Sequence, residues 1–162
     1  MKKANKILSA LLVVAIMLIA LVSCGGGNVA STGNAKIVVE KAEGDYTVYD
    51  VDLSKLENRD EGAMSLLEYV ASLEGSTLYY NVQRGGGYGA YITSIDTLTP
   101  NPMNQYIAIY TTEKEDFAVP TEWTPTVPTV KYGEMTLTYT GVGLSSMHVQ
   151  DGTVILFRLE GF

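Results

Sequence analysis

The sequence predicts an α+β fold: a β-rich single domain with one helix packed on the sheet. Two patterns lead there. Apolar residues alternate with period two in short runs across residues 36–162, whereas helical spacing occurs once, over "DEGAMSLLEYVASLEG" at 60–75. One helix among many strands must cover one face of the sheet. A third observation concerns cohesion. The sole cysteine stands at position 24, so no disulfide is available and the domain must rest on its hydrophobic core.

The elements follow in order. Ile37 and Val39 open a first strand, Glu43-Gly44-Asp45 offers a hairpin turn, and Tyr46, Val48, Val51 and Leu53 continue as a second strand. In the helix, Ala63, Met64, Leu66, Leu67, Val70, Ala71 and Leu73 recur at helical spacing. Asp60 is placed to cap its start, and Gly75 to take the left-handed residue after its end. Strands are expected near 77–84, 88–97, 105–112, 134–140 and 153–160. The last is the nearly continuous "TVILFRL", entered through the turn pair Asp151-Gly152. Between Glu113 and Gly133, Pro120, Pro125 and Pro128 exclude a central strand and predict a long loop.

The N-terminus speaks for placement. Lys2, Lys3 and Lys6 precede an apolar run from Ile7 to Val22, the layout of a bacterial export signal. The run ends in Leu21-Val22-Ser23-Cys24, which resembles the lipobox of bacterial lipoproteins: cleavage precedes the cysteine and its thiol is lipidated. The expected organisation is a signal peptide over 1–23, a flexible tether over 24–35 ("CGGGNVASTGNA") and the domain over 36–162. The protein is then exported and held by lipid on the outer face of the cytoplasmic membrane, or on an outer membrane if the cell has one. A retained membrane helix is the competing reading, but the run is marginal for a bilayer core of about 30 Å.

Charge and inventory narrow the function. The chain carries 11 basic and 18 acidic residues, a formal charge of −7, and loses three lysines with the signal. Such a surface repels phosphate backbones, so no nucleic acid is expected as a partner. With one histidine, His148, and the cysteine assigned to lipid, a cysteine–histidine zinc site cannot be assembled. Ser145, Ser146 and His148 lack the second glycine and the strand-to-helix turn of a nucleophile elbow. Asp50, Asp52, Ser54 and Glu61 match ligand positions of a calcium loop, yet Lys55 replaces the glycine its turn needs. No enzymatic activity and no required cofactor is therefore expected.

"GGGYGAYITSIDTL" at 85–98 contains the form G-x-G-x-x-A through Gly85, Gly87 and Ala90. That fingerprint works by aiming a helix N-terminus at pyrophosphate. Here β-branched and aromatic residues follow, which build a strand. The stretch reads as a glycine-rich hairpin joining "TLYYNVQR" to "YGAYITSI".

"MSLLEYVAS", "GGGYGAYITSIDTL", "NQYIAIYTT" and "GVGLSSMHVQDGTVILFRL", in that order, resemble the C-terminal domain of transcobalamin and intrinsic factor. They are also similar to bacterial surface lipoproteins with a transcobalamin-like C-terminal domain. The resemblance covers most of 36–162. It implies a β-grasp-like fold and a ligand-binding module, with cobalamin or another corrinoid as ligand. In transcobalamin a helical barrel covers the other side of the ligand, and this chain has none. A strand position that is often tryptophan in the family falls on Tyr106, and the Phe117–Val130 segment is longer than the family loop.

Three readings stand at this point. A lipid-tethered binding module would use exposed backbone at Gly86 and Gly87 with the rings of Tyr88, Tyr91, Tyr106 and Trp123, since such rings combine large contact area with a polar tip. An adhesion module would offer the same patch to a surface protein or glycan. An enzyme is the third, and nothing in the inventory supports it. Trp123, among prolines, either plugs the core edge or meets a ligand.

Overall fold

A computed structural model describes residues 28–85 and 89–162. It contains β1 (Asn34–Ala42), β2 (Asp45–Asp52), α1 (Ala63–Ser72), β3 (Tyr80–Gln83), β4 (Tyr91–Ile95), β5 (Gln105–Thr111), β6 (Thr129–Tyr132), β7 (Met135–Tyr139) and β8 (Val154–Gly161). Six strands form one sheet in the order β2-β1-β8-β5-β7-β6, and β3 pairs with β4 in a separate hairpin. β1 and β8 run parallel, and the other named pairs are antiparallel, so the sheet is mixed. The fold is α+β, as the periodicities predict.

The central strands explain why "TVILFRL" shows no alternation. Ile155 and Phe157 of β8 point to the helix side, where Ile37, Val39, Ile107 and Ile109 meet Met64, Leu66, Leu67 and Val70 of α1 and Ile92 and Ile95 of the hairpin. Val154 and Leu156 point the other way, joining Val38, Ala108, Tyr110 and Leu137. A strand covered on both faces has no position for a solvent-facing residue. The second face is covered by the sheet itself, which curls. Tyr46 of edge strand β2 and Tyr132 of the opposite edge strand β6 meet edge-on, with ring centroids 5.1 Å apart at 84°.

Three boundaries differ from expectation. Asp60 does not cap α1. Gly62 is the capping residue, with φ 50° and no side-chain bond. A Cβ there would lie 2.4 Å from the Met147 carbonyl oxygen, so the helix start is set by close approach of a distant loop. Gly75 does take the left-handed conformation, at φ 76°, in the turn beyond the helix. Residues 28–35, expected as part of a tether, already carry ordered contacts to the domain. Ala30 donates to Val149 O and Val149 donates to Asn28 O, both at 2.8 Å, and β1 already starts at Asn34. Residues 113–133 are not all loop. Lys114–Asp116 forms a 3₁₀ turn, and β6 begins one residue after Pro128, as an edge strand, where proline is tolerated.

The expected signal segment over 1–23, the expected lipidation site Cys24, and Gly86, Gly87 and Tyr88 lie outside the described residues. Among the described residues, no helix is long and apolar enough to cross a membrane.

Candidate functional site

β5 pairs with β8 along its whole length, but with β7 only at Tyr110 and Thr111. Beyond that point β7 ends at Tyr139, and the chain turns away as Thr140-Gly141-Val142-Gly143. The outer edge of β5 therefore lacks a ladder partner among the described residues from Gln105 to Ala108. Thr140 N–H donates to Ile109 O at 3.0 Å, which shows that the Ile109 carbonyl points to this side. By the two-residue period of a strand, the peptide N–H and C=O of Ile107 point there too.

Opposite this open edge stands the β3–β4 hairpin, and a cleft of about 300 Å³ lies between them. Tyr91, Tyr106 and Tyr139 line it together with Gly85, Gly89, Ala90, Ile107, Ile109 and the 140–143 turn. Two glycines allow the walls to close on each other. Gly89 has φ 95°, and a Cβ there would meet Ser145 Oγ at 2.7 Å; a Cβ on Gly141 would meet Ala118 Cα at 2.9 Å. The walls are tied by Ala90 N–H to Ser145 Oγ at 2.9 Å and Leu144 N–H to Ala90 O at 3.0 Å. Ser145 is thus a strut between loops, while His148 faces Asp116 and Glu115.

Tyr106 and Tyr139 are neutral phenols at physiological pH. Burial, then the neighbouring Tyr139 phenol and the Glu160 carboxylate, push Tyr106 up. Burial and then Glu160 push Tyr139 up. Each can offer a ring face and a hydroxyl. Tyr106 is also stacked on Phe162, centroids 5.3 Å apart, and Tyr139 packs edge-on against Tyr110 at 5.7 Å. The cleft supplies apolar faces, phenolic hydroxyls and bare backbone.

Of the predicted site residues, Tyr91 and Tyr106 come together here. Gly86, Gly87 and Tyr88 are outside the described residues, although their neighbours Gly85 and Gly89 line the cleft. Trp123 does not line it. It stands 90% exposed at a tight turn in which Thr121 N–H donates to Thr124 O at 3.0 Å. The core-plug alternative for Trp123 is thereby removed. Tyr139 and the 140–143 turn escaped the sequence reading. Their signal was the "YTGVG" pattern after a strand, where glycine marks a close approach.

A second, polar cavity lies around Glu113, Glu115, His148 and Gln150. Asp116, 1% exposed, accepts from His148 N–H at 2.8 Å and sits 2.7 Å from its Nδ1. Glu113 accepts from Gln150 Nε2 at 2.9 Å and from the Thr153 hydroxyl. The carboxylates of the apparent calcium-loop pattern are engaged elsewhere: Asp52 holds Ser54, Asp50 pairs with Lys36, and Glu61 pairs with Arg84. Among the described residues, no three histidine, cysteine or acidic side chains are grouped to hold a metal.

Fold and cleft together define a small α+β domain with an aromatic, backbone-rich cleft. No family model matches the chain, and no curated protein does. A solved structure is similar in fold: a "putative metal binding protein" from Ruminococcus gnavus. Its identity is 15% and the TM-score 0.50, over 80% of this chain and 98% of that one.

Proposed function

We propose that this protein is a lipid-anchored, cell-surface module that binds a broad, partly apolar ligand in the tyrosine cleft, without catalysis. The observation that carries the reading is the unpartnered edge of β5 facing three tyrosines across a cleft. A corrinoid, the ligand class implied by the resemblance to transcobalamin C-terminal domains, suits that surface. Its macrocycle is flat and partly apolar, and the amide side chains on its rim are partners for free backbone N–H and C=O groups. The β-grasp-like reading is supported by an N-terminal hairpin whose first strand lies parallel to the C-terminal strand, with the helix between them in sequence.

The cleft is at the small end of ligand pockets and covers one side of such a ligand. Affinity is therefore expected at micromolar level, roughly −8 kcal/mol, or weaker. Calorimetry of the full-length protein in detergent with cobalamin and cobinamide tests this. Saturable binding, weakened at least about tenfold by Tyr106→Ala or Tyr139→Ala with melting temperature preserved, is the expected result. Absence of binding to either corrinoid removes the corrinoid. Binding that ignores both variants removes the cleft.

A second reading has its own observation. Trp123 and Val119, 90% and 79% exposed on the proline-containing segment, are apolar side chains available to a surface protein or glycan. Under the adhesion reading, Trp123→Ala abolishes cell-surface attachment to that partner and leaves cleft binding untouched.

A further inference from the structure

Resting on the reading of the cleft as a ligand site, we propose that the group it recognises is a compact, weakly hydrated organic cation, such as a quaternary ammonium, seated between Tyr91, Tyr106 and Tyr139. Three features of the site point to this chemistry.

The rings come first. Aromatic faces carry negative electrostatic potential, and several tyrosines around one small space form a cage for a cation that has little hydration to lose. The second feature is the composition of the wall. Among the described residues lining the cleft none is charged, so an anionic group would meet no lysine or arginine there. A strongly hydrated primary ammonium would likewise find no carboxylate in direct contact. A quaternary ammonium needs neither, because its positive charge is spread over methyl groups that pack on apolar surface. The backbone carbonyl of Ile107, on the open edge of β5, adds a negative dipole end on the same side.

The third feature is the charge behind the rings. Glu160 stands directly across the β5–β8 ladder from Tyr106, and accepts the Tyr110 hydroxyl at 2.5 Å. It shares Arg158 with Glu40: Arg158 Nε is 3.5 Å from Glu160, and Arg158 Nη1 is 3.1 Å from Glu40. Two carboxylates on one guanidinium leave one negative charge in excess. Glu160 lies close enough to push the pKa of both Tyr106 and Tyr139 up, after burial, as a nearby negative charge does. A cation in the cleft would complete this local balance, whereas an anion would be repelled.

The test uses the full-length protein in detergent with tyrosine ring resonances as the readout, and three probes. These are tetramethylammonium, choline, and 3,3-dimethylbutan-1-ol, which has the shape of choline with carbon in place of the charged nitrogen. The expected result is that both cations shift the rings of Tyr91, Tyr106 and Tyr139, with choline binding on the order of tenfold more tightly than the neutral isostere. Glu160→Gln, which keeps an acceptor for Tyr110, should weaken choline several-fold and leave the isostere unchanged. Tyr106→Phe should retain the preference for choline, and Tyr106→Leu should lose it.

Equal affinity for choline and its isostere overturns the cation proposal while sustaining the cleft as a ligand site. So does silence toward all three probes when cobinamide still shifts the three rings. Silence toward every probe and toward both corrinoids overturns the cleft reading as well.

Discussion

Asp116 and His148 form a two-point clamp: one carboxylate oxygen accepts the His148 backbone N–H at 2.8 Å, and the other lies 2.7 Å from Nδ1. The same aspartate turns its backbone carbonyl toward the cleft wall. There it accepts Gly141 N–H at 2.8 Å and the Thr140 hydroxyl at 3.0 Å. The clamp therefore joins the start of the 147–153 loop to the turn that bounds the tyrosine cleft.

The clamp predicts a pH dependence of stability. The hydrogen bond to Asp116 raises the His148 pKa above its ordinary 6.5, against a smaller opposing effect of burial; the charges of Asp116, Glu115 and Glu113 act in the same direction as the bond. A group whose pKa is raised on folding stabilises the folded state in full below its unfolded pKa. That contribution disappears as pH rises through the folded value. The melting-temperature advantage of wild type over His148→Gln should be largest near about pH 5.5 and shrink toward about pH 8.5. An advantage that grows with pH would contradict the clamp.

Capping of α1 gives a paired prediction. Gly62→Ala places a methyl group against the Met147 carbonyl in a left-handed backbone, and should cost about 1–3 kcal/mol or more. Asp60→Ala removes an exposed side chain with no capping role and should stay within about 0.5 kcal/mol. Urea unfolding of both variants checks the contrast. A large loss for Asp60→Ala alone would restore the aspartate as the cap.

Leu67 is 1% exposed and sits in the cluster between α1 and the sheet. Leu67→Ala should cost about 2–5 kcal/mol, the range for a buried leucine whose neighbours only partly fill the space. An effect below about 0.5 kcal/mol in the same assay would place Leu67 outside the cohesive core.

Anchoring is tested at Cys24. Cys24→Ser should end incorporation of labelled fatty acid, because a hydroxyl does not replace the thiol in lipid transfer. Continued labelling of the serine variant would reject the lipobox.

The sequence by itself determined the fold class, the helix and most strands, because alternation and helical spacing are written between residues no more than four apart. Ile37 and Val39, the Gly44 turn, the helical stripe through Leu66, Leu67 and Val70, and the run into Phe157 each declare their element locally. Tyr91 and Tyr106 were legible as candidates for the same reason: they are aromatic residues on strands, beside glycine or at a strand start. Tertiary structure decided the rest. The parallel pairing of β1 with β8 joins the two ends of the domain, and the cap at Gly62 answers to Met147, 85 residues away in number. The cleft exists only because β7 leaves β5 at Tyr139 while the hairpin carries Tyr91 to the opposite wall. No periodicity within one segment encodes a space enclosed by four, since close approach between distant segments is set by packing, not by local spacing.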